Sequence, residues 1–147
     1  MAINTQKVLL GGLAAGVVLN VIDFATNTFI LGERMKAETE AFKPGLSAMM
    51  MTGKSIAWYV ISDFIVGILL VWTYAAIRPR FGAGGGTAIR VGLVFWVFGA
   101  ILNAGYMNMG MMSTGLWATF GLIWLVNLLL ASWVGGWLYK EESTVGA

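Results

Sequence analysis

The sequence contains no cysteine and no histidine, and only 11% of its 147 residues are charged. Without cysteine there is no disulfide framework, no thiolate nucleophile and no iron–sulfur ligation. Without histidine the chain lacks the commonest general base and the commonest zinc and haem ligand. We identify no nucleophile–base pair among the remaining residues, and we therefore predict that the protein is not an enzyme.

Hydrophobic residues make up 59% of the chain, and its mean hydropathy is +0.80. Both values exceed those of soluble domains. Four apolar segments are long enough to cross a bilayer as helices, at 8–31, 56–77, 91–109 and 116–139. We predict one all-α integral membrane domain over 1–147. The first segment exceeds a signal-peptide core and no small-residue cleavage motif closes it, so we expect it to be retained as a helix.

Most charged residues lie between the predicted helices or near the chain ends. The glycine-rich connection 78–90 carries three arginines and no acidic residue, and we expect headgroup contacts from Arg78, Arg80 and Arg90. The positive-inside rule then places this connection and both termini in the cytoplasm, and the connection 32–55 outside. The four helices would form two antiparallel hairpins.

Local signals set the expected ends of the second span. Ser55 is a plausible N-cap because its hydroxyl precedes the apolar run. Arg78-Pro79-Arg80 should end the helix, since proline has no N–H to donate. The segment 81–87, rich in glycine, is predicted to be a flexible turn.

Polar side chains inside the spans are the main candidates for a functional site. They are Asn20, Asp23, Asn27, Asp63, Asn103 and Asn127. The first three are spaced by three and four residues, which places them on one face of a helix. No lysine or arginine lies inside any span. The cluster is either an interhelical polar clamp, the favoured interpretation, or a proton or cation site built on the two aspartates.

Small residues predict close helix contacts and suggest an internal repeat. Gly12 and Gly16 form a GxxxG motif, which lets a second helix approach. Gly16 through Asn20 also resembles Gly99 through Asn103. A true duplication would relate the two hairpins by a pseudo-twofold axis along the membrane normal. Chance similarity between apolar segments is an equal alternative.

Seven methionines fall in or near the first and third connections: Met49, Met50, Met51, Met107, Met109, Met111 and Met112. Thioethers can bind Cu(I), so these residues are weak metal-site candidates. The favoured alternative is adaptable packing. We predict bound lipid and no cofactor, although aromatic residues of the third span, Phe95, Trp96 and Phe98, are also compatible with a pigment or quinone.

Three short motifs resemble a group of small bacterial four-span membrane proteins that is uncharacterised. They are Gly32-Glu33-Arg34, Tyr74 through Gly82, and Trp137 through Glu141. The resemblance implies location in the inner membrane and transfers no site residue, because the group has no assigned activity.

The leading functional hypothesis is an accessory or assembly subunit that binds other membrane subunits or copies of itself. The alternative is a small transporter or an ion- or proton-binding protein that uses Asp23 and Asp63. We expect no nucleic-acid partner, because nine basic and seven acidic residues are too few and too scattered.

Overall fold

The computed structural model describes residues 3–140, and all their regular secondary structure is helical. Helix α1 (Thr5–Ala25) continues as a π-helical turn (Thr26–Ile30), and two short helices follow, α2 (Gly32–Phe42) and α3 (Leu46–Met50). The remaining helices are α4 (Gly53–Phe81), α5 (Gly85–Asn108) and α6 (Thr114–Leu138). Helices α1, α4, α5 and α6 are long and apolar enough to cross a membrane, which confirms the prediction of four such helices. Both chain ends, including Glu141 of the closing motif, lie outside the described residues.

The predicted N-cap of the second long helix was wrong. Thr52 caps α4, and its hydroxyl accepts a hydrogen bond from the Ser55 N–H at 3.2 Å. Ser55 is the third helical residue. Two hydroxyls three residues apart offered two starts, and the extended backbone at Thr52 (φ −69°, ψ 153°) makes it the cap.

Pro79 does not end α4, contrary to the sequence prediction. The helix continues to Phe81, and Pro79 removes only the one intrahelical hydrogen bond that its N–H would have donated to the carbonyl four residues earlier. Gly82 ends the helix instead. It has a φ of +85°, which glycine tolerates, and its N–H donates to the Arg78 carbonyl at 2.9 Å.

The turn after α4 is shorter than the flexible segment predicted from its glycines. It spans 82–84, because α5 already begins at Gly85. The Thr87 hydroxyl donates to the Gly82 carbonyl at 2.8 Å, and the Gly84 N–H donates to the Tyr74 hydroxyl at 2.9 Å. These bonds anchor both sides of the turn.

Helix α1 packs closely against α4 and α6 through glycines. An added Cβ on Gly12 would lie 2.6 Å from the Ile68 Cα, and one on Gly16 would lie 2.9 Å from the Phe64 Cα. On the other side, an added Cβ on Gly11 would lie 2.7 Å from the Gly135 carbonyl oxygen. The absence of side chains at these positions therefore permits the backbones to approach.

Helices α5 and α6 also meet through small residues. An added Cβ on Gly92 would lie 2.9 Å from the Ser132 hydroxyl, and one on Gly99 would overlap the Trp124 ring. The Ser132 hydroxyl donates to the Ala88 carbonyl at 2.7 Å, which adds a polar link.

The buried core occupies mainly one half of the bundle. We call the end with Arg78 and the turn 82–84 the basic end, and the end with α2 and the residues 109–113 the clasp end. Tyr74, Ala75, Ala88 and Ala131 are buried toward the basic end. At the clasp end, α4 has no buried residue before Gly67, and 56–61 are exposed on every side of the helix. The clasp-end part of α4 is therefore packed much less closely than its basic-end part.

Candidate functional site: a polar cluster where α4 leaves the core

Asn127 of α6 and Asp23 of α1 form the centre of the polar cluster. Asn127 has 0% exposure, and its Nδ2 donates to the Asp23 carboxylate at 2.8 Å. The same Nδ2 lies 3.3 Å from the Leu19 carbonyl oxygen. The Asn127 Oδ1 is buried and has no hydrogen-bond partner in the described part of the chain. The pair links two helices and leaves one buried acceptor unsatisfied.

Asp63 brings a second carboxyl group to the cluster from α4. It is half-buried, and α4 packs against α1, the helix that carries Asp23. Within residues 3–140 no hydrogen bond or salt bridge involves its side chain. The lysines and arginines of the four long helices lie near the helix ends, so they offer this carboxyl group no counterion at its own depth.

The position of Asp63 marks the boundary between the packed and exposed parts of α4. Residues four and seven positions apart share one face of a helix. On the Asp63 face, Gly67 and Leu70 are buried toward the basic end, whereas Tyr59 and Ile56 are exposed toward the clasp end. One continuous face of α4 thus changes from buried to exposed at Asp63.

The other three asparagines of the predicted cluster differ in their hydrogen-bond partners. Asn20 donates to the Gly16 carbonyl at 2.9 Å and to the Val60 carbonyl at 3.3 Å, so it connects α1 with α4. Asn27 and Asn103 donate within their own helices, to carbonyls four residues earlier at 2.8 Å and 3.0 Å. The interhelical clamp expected from the sequence therefore involves Asn20 and Asn127.

A π-helical turn follows Asp23 directly and was not foreseen from the sequence. It covers Thr26–Ile30, and its Leu31 N–H donates to the Thr26 carbonyl five residues earlier. Thr26 is buried, and its hydroxyl donates to the Ile22 carbonyl at 2.7 Å. Such turns recur at functional sites. The only sequence signal is a set of β-branched residues, which weaken a regular helix.

A second polar constellation, which we call the clasp, joins α2 to the start of α6. Glu38 accepts from the Ser113 N–H at 2.7 Å and from the Ser113 hydroxyl at 2.8 Å. Arg34 donates to Glu38 at 3.2 Å and to the Ser113 hydroxyl at 3.2 Å. Burial raises the pKa of Glu38, but these hydrogen bonds and the Arg34 charge outweigh burial and hold the pKa below its ordinary value. Glu38 and Ser113 are 75 residues apart in the sequence, so no local pattern predicted their contact.

Most of the other predicted residues lie where they serve packing. Gly12, Gly16 and Gly99 are at helix contacts. Arg78 lies over the Tyr139 ring at 5.8 Å and Arg90 over the Phe81 ring at 5.4 Å, while Arg80 is exposed. Their headgroup contacts remain predictions.

The aromatic residues of α5 divide between packing and exposure. Trp96 donates its indole N–H to the Gly121 carbonyl at 2.8 Å, and Phe95 packs against the core. Phe98 is exposed.

The methionines are only partly brought together. Met111 and Met112 line a shallow depression with Glu38, Ala41 and Phe42. Met49, Met51 and Met109 are exposed. Metal binding stays a prediction, as it does for Met50 and Met107.

Comparison of the chain with protein-family models, with curated proteins and with solved structures gave no match. The polar cluster and the surface around it are therefore the features of the molecule that bear on its function.

Proposed function

We propose that this protein is a non-catalytic accessory or assembly subunit of the bacterial inner membrane, completed by other membrane subunits or by copies of itself. The observation that carries the proposal is Asp63. Its carboxyl group lies where α4 leaves the core, it has no hydrogen bond or salt bridge within 3–140, and the helix beyond it is exposed on every side. An isolated ionisable group in hydrocarbon is costly, and a neighbouring subunit would relieve that cost.

The proposed topology is two antiparallel hairpins with both termini and the turn 82–84 in the cytoplasm. Contacts between α1 and α4 support the first hairpin, because they run in opposite order along the two helices: Gly12 meets Ile68, and Asn20 meets Val60. Gly99 against Trp124 supports the second.

An internal duplication is part of the same proposal. Asn20 and Asn103 each donate to the carbonyl of the glycine four residues earlier, at 2.9 Å and 3.0 Å. Thr52 and Ser113, which cap the second helix of each hairpin, have the same backbone angles (φ −69°, ψ 153°). These paired features support a repeat that the sequence comparison only suggested.

Native mass spectrometry of the protein extracted from its own membrane in mild detergent tests the subunit proposal. We expect stoichiometric association with other membrane subunits or self-association, and loss of that association in Asp63→Leu. The matched control is Leu122→Ala, which alters an exposed position on α6. A monomer carrying only lipid, with unaltered behaviour in Asp63→Leu, would contradict the proposal.

A second candidate function, proton or cation binding, is favoured by the geometry of the two aspartates. They lie on the neighbouring helices α1 and α4, and Asn127 donates to one of them. Intramembrane acids of this kind often mark ion pathways. Ion flux into proteoliposomes that Asp23→Asn and Asp63→Asn abolish would establish this function. Flux at background level in the parent protein would remove it.

A further inference from the structure

We propose that the exposed clasp-end part of α4 binds a transmembrane helix of a second protein, and that this helix carries a lysine or arginine at the depth of Asp63. The inference rests on the proposed accessory function and specifies the chemistry of the partner. Its basis is the unpaired carboxyl group of Asp63 beside an uncovered helix face.

The shape of the surface favours a helix as the occupant. The exposed continuation of the Asp63 face passes through Tyr59 to Ile56, seven residues and about 10 Å along α4. Within lipid, a polypeptide must satisfy its backbone hydrogen bonds internally, which a helix does. A helix packed on this face would extend the contact that Gly67 and Leu70 already make with the bundle.

Charge complementarity favours a basic residue on that helix. The nearest lysine along α4, Lys54, is nine residues from Asp63, about 13 Å by helical rise. Lys7 and Arg78 lie toward the basic end. The carboxyl group of Asp63 is half-buried and has no hydrogen bond or salt bridge within 3–140. An ammonium or guanidinium group supplies several donors and a compensating charge at one point.

A second copy of this chain fits the surface less well than such a partner. The lysines and arginines of its long helices lie near the helix ends, so a copy packed at the same depth brings no cation to Asp63. Phospholipids place their charged groups at the membrane interface rather than at this depth. A second copy of the chain and a phospholipid can therefore be distinguished by experiment from a basic partner helix.

The test uses the full chain reconstituted in phosphatidylcholine vesicles with synthetic Leu-Ala transmembrane peptides. The peptides carry one central Lys, Gln, Glu or Leu. Because the chain has no cysteine, a dye on Lys54→Cys reports binding by energy transfer to a dye on the peptide. We expect the Lys peptide to bind at least roughly tenfold more tightly than the Leu peptide. We also expect that in Asp63→Asn the ratio of the affinities for the Lys and Leu peptides falls to near unity.

Two further variants separate charge from packing. Asp63→Lys should reverse the preference toward the Glu peptide, a result that a merely structural role of Asp63 does not produce. Ile65→Ala changes an exposed residue on the side of α4 opposite to Asp63 and should leave the preference unchanged. Circular dichroism of each variant confirms that it is folded.

Equal binding of the Lys and Gln peptides would overturn the proposal, because hydrogen bonding alone would then suffice. Equal binding of the Lys and Leu peptides, or self-association of the chain that excludes both, would also overturn it. Native mass spectrometry distinguishes the failure of this inference from the failure of the proposed function. If the protein forms a stoichiometric native complex but does not prefer the Lys peptide, only the proposed basic partner residue is contradicted. If it forms no native complex and shows no preference for the Lys peptide, the proposed subunit function is contradicted as well.

Discussion

The four asparagines of the predicted polar cluster differ in the partners of their amide groups. Asn20 and Asn127 donate to neighbouring helices, whereas Asn27 and Asn103 donate within their own. Residue type and spacing predicted that these side chains lie within spans. They could not predict the partners, because those depend on how each helix is rotated against its neighbours. Asp63 was likewise identified from the sequence, but its position at the edge of the core was not.

Asn127→Ala should destabilise the bundle by about 1 to 2 kcal/mol, because it removes an interhelical hydrogen bond at a fully buried site. The matched control is Asn103→Ala, whose amide bonds within its own helix. That change should cost no more than about 0.5 kcal/mol. Unfolding in mixed detergent micelles measures both variants. Equal losses of stability in the two variants would show that the hydrogen bond between Asn127 and Asp23 does not stabilise the bundle.

Asp23→Ala in the Asn127→Ala background completes a double-mutant cycle for the same bond. Because the two side chains are in contact, the effects of the single changes should not add, and their coupling should be about 0.5 kcal/mol or more. The same unfolding measurement gives the coupling energy. Strict additivity would contradict a direct interaction.

The ends of the helices show how far local sequence signals reach. Composition predicted four long apolar helices, because hydropathy over some 20 residues does not depend on tertiary contacts. The residues that cap the helices were harder to predict from the sequence. Thr52 and Ser55 are both good caps by residue type, and Pro79 is a good stop by residue type. The backbone angles at Thr52 and Gly82 decided both ends.

At the contact between α1 and α4, Gly67→Ala should destabilise the protein by about 1 to 3 kcal/mol. An added Cβ there would overlap the Gly12 carbonyl oxygen and would lie 3.0 Å from the Gly16 Cα. Gly105→Ala is the control, since an added Cβ at that position meets nothing within 4 Å. It should change the stability by no more than about 1 kcal/mol. Thermal unfolding in detergent compares the two, and equal effects would contradict the close contact.

The clasp should open in acid. Hydrogen bonds from Ser113 and Arg34 hold the native pKa of Glu38 below its ordinary value of 4.5, so the carboxylate stabilises the closed clasp above that value. The stabilisation is lost as the pH falls through the lower native pKa. The distance between spin labels on Lys36→Cys and Asn108→Cys should therefore stay constant from about pH 7 to about pH 5 and increase below about pH 4.

Two variants check that Glu38 causes this change. Glu38→Gln should remove the pH dependence, because its amide cannot titrate and lacks the charge that Arg34 pairs with. Glu33→Gln alters another acidic residue on α2 and should leave the profile intact. A distance that does not vary down to about pH 3 in the parent protein would contradict the role of the clasp.

At the scale of the whole molecule, burial is unevenly distributed between the two ends. Small residues let α1, α4 and α6 converge toward the basic end, where Gly11, Val71 and Gly135 meet. Beyond Asp63, the exposed turns of α4 carry Trp58 and Tyr59. Hydropathy could not predict this difference, because lipid-facing and partner-facing apolar residues have the same composition. This uneven burial is the arrangement that the proposed assembly with a partner helix would complete.

The proposed orientation gives the last prediction. Arg78, Arg80 and Arg90 occupy the basic end without an acidic residue in their connection, whereas Arg34 at the clasp end is paired with Glu38. The basic end should therefore face the cytoplasm. Single cysteines can be placed without background in this cysteine-free chain, at Lys43 and at Ala83, both of which are exposed.

In intact cells with a permeable outer membrane, an impermeant maleimide should label Lys43→Cys at once and Ala83→Cys only after the inner membrane is opened. Val94→Cys, on the apolar exposed surface of α5, should resist labelling until the protein is denatured, because thiolates do not form readily in lipid. The opposite order for Lys43→Cys and Ala83→Cys would invert the topology. It would also place the exposed part of α4, and the partner helix proposed for it, in the cytoplasmic half of the membrane.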